Sequence, residues 1–528
     1  MPIIINQIKS SLNAPKDKII EKALKSLNIP QSKINNAEIY KTSLDARNQS
    51  NIHFVHSVFV SLNKEEDEKK LCKNNNQLNY IENSYFKPKI SNTKKDGNVI
   101  IAGFGPAGIF AGLILAENGY KPVILEKGLD VDQRTQSVLN FWKNGNLNTN
   151  SNVQFGEGGA GTFSDGKLTT RIKDPFCRYV LERFVEFGAP KEILTKAKPH
   201  IGTDNLRNII KAIRQHIISL GGTVKFESEL TDFNIKNNEI TEVKFAGTTL
   251  PCSSLILAIG HSARETFMML AEKGIFLESK PFSIGARIEH SQKSVNESLY
   301  GKNAENPLLP IGEYQLSYRE KSGRGVYTFC MCPGGAVVPA ASEAGGIVTN
   351  GMSEFSRDGK NANAALVVSV SQKDFGNNPL DGMKFARMIE QRAYNSTKSY
   401  IAPATTVKGF LSKKTDLNSK INPSYSLGVK PVELRDIFPK FITDMMETGL
   451  NKFSHKMKCF GDENAIITAP ETRTSSPIRI TRTEKFNSLS ISNLYPCGEG
   501  AGYAGGIMSA AVDGIKVALR IMETHGPI

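Results

Sequence analysis

The sequence predicts an α/β fold: a doubly wound, Rossmann-like nucleotide-binding domain in two separated segments, an inserted and mainly antiparallel β domain, and a small N-terminal α+β module. Three observations carry this prediction. Asn98 to Lys127 reads as strand, glycine turn, helix and strand; Asn493 to His525 reads as an apolar strand, a second glycine turn and a long helix; and from about Lys280 the chain between them changes to short alternating strands.

In the first of these stretches, Gly103, Gly105 and Gly108 stand in G-x-G-x-x-G spacing, with Pro106 and Ala107 between the last two. Gly103 allows the tight turn, Gly105 lets a pyrophosphate approach the backbone, and Gly108 lets the helix pack close to the strand. The anion then sits at a helix N-terminus, where unpaired N–H groups and the helix dipole favour negative charge. Glu126 ends the second strand, where an acidic side chain accepts from ribose hydroxyls. A glutamate there argues against a 2′-phosphate and leaves FAD or NAD as the nucleotide. Val99 to Ala116 carries no charge over about eighteen residues, the minimum length of a membrane span. Pro106 and three glycines interrupt it at the spacing of a phosphate turn, so the membrane reading is rejected.

A chain of 528 residues, 39% hydrophobic and 22% charged, suits a soluble protein of two or three domains. The N-terminal apolar run is too short for a signal peptide, which makes a cytoplasmic location the expectation. Seven scattered cysteines, without C-x-x-C or zinc spacing, imply a reducing compartment and no metal. The net charge of +14 would suit a polyanionic partner, but the lysines are dispersed, which speaks for a solvated surface and against nucleic acid without excluding it.

Residues 1–96 read as the N-terminal module and a polar helix-plus-linker; 97–278 as the first nucleotide-binding segment; 279–465 as a substrate or cap domain; and 466–528 as the returning second segment. Within the first segment, NVQFGEGGAGTFSDGKLTTR suits a loop laid against a flat ligand, through Gly158, Gly159, Ala160, Gly161, Thr162 and Ser164. Asp204 is the expected N-cap of a helix ending near Leu220. TVKFESELTDF and EITEVKFAG then read as a hairpin-like pair, and SSLILAIGHSA as a buried strand running into a turn at Gly260.

GFGPAG with Glu126, the AIG turn and CGEGAGYAGGIMSAAVDGIKVA together resemble the FAD-binding domain of flavoproteins that include aromatic hydroxylases and geranylgeranyl reductases. NVQFGEGGAGTFSDGKLTTR, TFCMCPGG and ETRTSSPIRITR are more closely similar to a bacterial family of FAD-dependent dehydrogenases of unidentified substrate. The resemblance implies that Gly103, Gly105 and Gly108 hold the FAD pyrophosphate, that Glu126 with Lys127 holds the adenosine ribose, that Arg134 contacts the diphosphate and that Leu230 meets the adenine. Gly498 and Glu499 would approach the ribityl chain, Glu499 standing where many relatives have aspartate. Gly505, Gly506 and Ile507 would aim a helix N-terminus at the flavin's pyrimidine edge, where negative charge on a reduced flavin gains about 0.3–2 kcal/mol.

Beyond the cofactor, the candidates for chemistry are Cys330, Cys332, Arg287, His290 and Arg473. Cys330 and Cys332 would share one face of a strand, a poor disulfide geometry that favours small core residues. Arg287 suits a carboxylate and His290 an acid or base, although a structural histidine is the commoner case. The resulting expectation is an FAD-dependent oxidoreductase moving hydride between flavin N5 and a small organic molecule. NADH or NADPH would bind transiently, or a protein would carry the electrons. The rivals are a monooxygenase, an RNA-binding or RNA-modifying flavoprotein, and a flavin-bearing sensor.

Overall fold

The computed structural model describes residues 3–73, 78–80 and 87–527. Five of its strands run parallel, in the order Thr223–Lys225, Val123–Leu125, Asn98–Ala102, the end of Thr248–Leu257, and Leu494–Pro496. Such a sheet is covered on both faces, so its strands are apolar throughout; Ile100 and Ile101 are both fully buried. The helix Pro106–Glu117 packs between this sheet and the helices Gly202–Ser219 and Ile507–Thr524, which is why it is apolar all round. Among the described residues no helix is long and apolar enough to cross a membrane.

TVKFESELTDF is not one strand. It breaks at Glu227, whose φ is +52°, into the parallel edge strand Thr223–Lys225 and the strand Leu230–Lys236, which pairs antiparallel with Glu239–Phe245. Asp204 lies inside the first turn of the helix Gly202–Ser219 rather than capping it. Its Oδ1 accepts from the Phe355 amide at 2.9 Å, so the carboxylate ties a distant loop instead of its own helix end.

The second large sheet has the strand order Ser317–Arg319, Gly325–Cys332, Asn361–Val370, Phe282–Ser291, Ile466–Glu471, Ala402–Thr406 and Val429–Pro431. All its neighbours are antiparallel except the last pair. The helices Asp381–Thr397 and Lys440–Ser454 lay apolar faces on it, around a core that includes Ile288, Leu366, Ile389 and Met446. Pro439 separates the second of these helices from a short turn at Leu434–Asp436, because proline cannot continue a helix already under way. Ile466–Glu471, read from the sequence as the start of the returning segment, sits inside this sheet, and the chain rejoins the nucleotide-binding sheet only afterwards.

At the N-terminus, Ile34–Asp45, His53–Leu62, Ile3–Ser10 and Leu78–Tyr80 form an antiparallel sheet in that order, against which the helix Lys16–Leu27 buries Ile19, Ala23 and Leu27. Leu78–Tyr80 therefore belongs to the sheet rather than to a linker. The rest of the expected linker is the helix Glu65–Lys73 and residues 87–95, while 74–77 and 81–86 lie outside the described residues. The module docks through the Thr42 amide on Thr195 O (2.7 Å) and the Ala197 amide on Thr42 O (2.9 Å).

Candidate functional site

A cleft of about 1500 Å³ opens at the C-terminal ends of the parallel strands and extends over the face of the antiparallel sheet. One end is walled by Gly103 to Ala107, Leu125 to Lys127, Leu230 and Ala258 to Ala263. The other is walled by Tyr314 to Arg319 and Gly325 to Met331, and the last helix contributes Gly505, Gly506, Ile507 and Ser509 between them. Ligands of open α/β sheets bind at this end of the strands.

The turn at Gly103 is forced by packing. Its φ is +98°, and a Cβ there would lie 2.3 Å from Ala258 O; a Cβ on Gly108 would lie 2.0 Å from Gly103 O. Helix and turn can approach this closely only without side chains. The helix then starts at Pro106 with no side-chain cap, its free N–H groups facing the cleft wall at Gly105 and Ala107. Opposite it runs the loop 151–163, largely buried and fixed from behind by Arg134 and Glu126. Glu126 Oε2 accepts from the Phe104 amide, and Oε1 from the amides of Gly128 and Gly156, each at 2.9 Å.

Behind the cleft wall at Arg473 lies a buried ion cluster. Glu390 receives both terminal nitrogens of Arg264 at 2.9 Å, Nε and Nη2 of Arg473 at 3.2 Å, and the Thr472 hydroxyl at 2.7 Å. Burial alone would raise its pKa, but the two guanidinium groups hold it at about 2. Beside the cluster, burial and the same two arginines lower His261 to about 3, which keeps its ring neutral. Glu499, 4.0 Å from His261, is pushed up to about 7 by burial, against a hydrogen bond from the Gly506 amide.

A second set of charges lines the wall near the antiparallel sheet. Lys167 bridges Asp165 and Glu313, each at 2.9 Å; Lys198 reaches Glu313 at 2.8 Å; and Arg357 Nε donates to Asp165 at 2.9 Å. Tyr327 and Phe329 make this end of the cleft aromatic, while the rings of Tyr314 and Tyr318 turn into the core, against Phe460 and under Lys452 respectively.

Comparison with known proteins agrees with this picture. Residues 281–474 match the family described as FAD-dependent protein, C-terminal domain-like, and residues 1–61 match a domain of unknown function. An uncharacterised protein of Clostridium beijerinckii is 45% identical over 530 residues, covering 99% of each chain. The chain belongs to this family of FAD-dependent proteins. Among solved structures it is similar to a geranylgeranyl bacteriochlorophyll reductase-like protein of Thermoplasma acidophilum (11% identity, 81% of this chain and 78% of that one, TM-score 0.36) and to glycine oxidase of Bacillus cereus (11%, 81% and 95%, TM-score 0.31). Both likenesses are too distant to bear on the reaction.

FAD fits the cleft on physical grounds. The uncapped helix start and the glycine loop make an anion cradle, and the C-terminal helix offers a second uncapped N-terminus at Gly506. Glu126 already accepts three N–H groups of the roughly four a carboxylate can take, which leaves capacity for about one ribose hydroxyl rather than two. Lys127 pairs with Glu229 at 3.0 Å and lies over the Phe155 ring, at the rim.

Of the residues named from the sequence, Gly103, Gly105, Pro106, Ala107, Glu126, Lys127, Gly159, Ala160, Gly161, Ser164, Leu230, Gly260, Glu499, Gly505, Gly506, Ile507, Cys330 and Arg473 line the cleft. Gly108, Gly158, Thr162 and Gly498 stand behind its wall. Arg134 does not reach the cleft: its donors are spent on the carbonyls of Asn152, Val153, Gly156 and Glu157, so it builds the glycine loop instead of touching a phosphate.

Arg287 is likewise no substrate ligand. It pairs twice with Glu471, at 2.7 and 2.9 Å, and donates to Cys330 O, Asn350 and Asn363, all from full burial. His290 is buried between Tyr314 and Phe460, outside the cleft, and burial lowers its pKa to about 4. Cys332 is buried behind Cys330. Sequence reasoning missed His261 in the cleft and the Arg264–Glu390 pair behind Arg473; GHSAR at the Gly260 turn was a signal for His261 and Arg264, and nothing local marked Glu390.

Proposed function

We propose that the chain is an FAD-dependent oxidoreductase that moves hydride between a small organic substrate and flavin held in the cleft. The observation that supports this most is continuity: the glycine turn at Gly103, the helix start at Gly506 and the aromatic wall of Tyr327 and Phe329 share one cleft. When bound, FAD supplies two-electron chemistry at N5. The chain's own residues orient and exclude water. Gly105 and Gly159 admit the pyrophosphate, Glu126 takes a ribose hydroxyl, and the helix N-terminus at Ile507 favours negative charge on the ring.

The substrate would meet Tyr327 and Phe329, with Arg319 on the same wall to take a carboxylate, so an apolar or aromatic acid is the class that fits. Near neutral pH Glu499 is poised to hold or release a proton in the cleft.

The test is anaerobic mixing of the flavin-loaded protein with NADH, with NADPH and with a panel of aromatic and aliphatic amino and hydroxy acids, following the visible flavin band. Bleaching by any donor supports the reading, and rapid recolouring in oxygen with substrate hydroxylation would redirect it to a monooxygenase. A bound flavin that none of these reduces contradicts it.

A further inference from the structure

The strand Gly325–Cys332 is irregular where TFCMC falls. Phe329 pairs with Ala365 but Cys332 with Asn363, so one extra residue is inserted between them. The bulge is at Cys330, whose φ is +42°, a left-handed conformation that strains a non-glycine residue. A regular strand would hold residues i and i+2 about 7 Å apart, beyond disulfide range. The bulge bends the strand and breaks that spacing, and the Cys332 thiol folds back onto its neighbour's backbone, its Sγ 3.4 Å from Cys330 O.

The two cysteines differ in access. Cys330 lines the cleft, whereas Cys332 is fully buried behind it, with Gly351 so close that a Cβ there would lie 2.9 Å from its sulfur. Arg287, itself fully buried, donates to Cys330 O at 2.8 Å and sets a fixed positive charge beside both sulfurs. The Cys332 thiol's hydrogen bond, followed by Arg287, holds Cys330 well below the usual thiol range, while Cys332 stays protonated. A strained, cleft-facing, acidified thiol with a second thiol on its backbone is the arrangement of an attacking and a resolving cysteine.

We propose that Cys330 and Cys332 are a redox-active dithiol that exchanges two electrons with FAD bound in the cleft. In the forward direction two S–H bonds break and one S–S bond forms. Two electrons and one proton pass to the flavin, and the second proton leaves to solvent; reduction of the disulfide by reduced flavin is the reverse. This rests on the cleft holding FAD, as argued above. It gives the enzyme a store for one electron pair, and a route by which a protein or small-molecule thiol would exchange electrons with the flavin through Cys330.

The experiment is an anaerobic dithionite titration of air-oxidised, flavin-loaded protein, with alkylation and mass spectrometry of the peptide around TFCMC at each stage. Wild type is expected to take up four electrons per chain, its two cysteines alkylating only after reduction, whereas C330S and C332S, still yellow, take up two. Uptake of two electrons by wild type, with both thiols alkylated while the flavin is oxidised, overturns the proposal. So does a disulfide that persists after the flavin is fully reduced. A chain that binds no FAD at all would instead defeat the proposed function, and the apoprotein titration, reading two electrons or none, would still report on the cysteine pair.

Discussion

The Gly156 amide donates to Glu126 Oε1 at 2.9 Å, which fastens the glycine loop to the end of the second parallel strand. The residue expected to read the ribose therefore also shapes the pocket. Glu126→Gln keeps the volume but turns one acceptor oxygen into a donor facing an N–H group, leaving a buried amide unpaired at a cost of about 1–3 kcal/mol. A lower melting temperature together with weaker FAD retention is the expected outcome, measured by thermal unfolding with and without FAD. Loss of FAD at unchanged apoprotein stability would show that the loop does not depend on this carboxylate.

Two glycines of the same motif separate fold from binding. Gly108→Ala places a methyl 2.0 Å from Gly103 O and must push the helix off the turn, costing about 1–3 kcal/mol or more. Gly105→Ala meets nothing nearer than 3.6 Å and has an ordinary φ of −83°, so the apoprotein should lose less than about 1 kcal/mol. The new methyl stands where a pyrophosphate must approach, so FAD affinity should fall at least tenfold, read by titration of the apoprotein.

Glu390 between Arg264 and Arg473 is a conditional anchor. Glu390→Gln leaves two buried guanidinium groups short of charge and should cost about 3–5 kcal/mol in unfolding experiments. Its folded pKa of about 2 lies below the unfolded value, so its contribution is full above about pH 4.5 and disappears as pH falls through 2. Melting temperatures between pH 5 and 3 should therefore drop more steeply in wild type than in the variant.

Glu499 has the opposite sign. Burial raises its folded pKa to about 7, so the folded state keeps a proton that the unfolded state has lost, and stability falls as pH rises from about 4.5 to 7. Glu499→Gln should flatten that slope, a change of up to about 3 kcal/mol at pH 7, seen in denaturant midpoints at pH 5 and pH 7.5.

The parts of this molecule that were legible in its sequence are those set by local physics. A left-handed turn at Gly103, a helix apolar on every side and a glycine-started C-terminal helix each leave a short, readable pattern. The roles of Arg134, Arg287 and His290 were not legible, because a buried charge or ring is defined by partners brought from far away. Glu471 is 184 residues from Arg287 in the chain, and Phe460 closes over His290 from another element. The bulge at Cys330 escaped for a different reason: YTFCMC reads as a regular strand, and the extra residue appears only in its register against Asn361–Val370. The start of the returning segment was misplaced because Ile466–Glu471 is as apolar as any parallel strand, being central in the other sheet.

Binding of FAD in the cleft is tested most directly by titration of the apoprotein. With FAD, FMN, NAD and NADP added separately and flavin fluorescence and absorbance followed, saturation is expected at one FAD per chain, with FMN much weaker for lack of the adenosine that Glu126 and Leu230 would meet. That tight binding is expected to be lost in Gly105→Ala. No FAD binding to a folded chain, or equal binding by the Gly105→Ala variant, would contradict it.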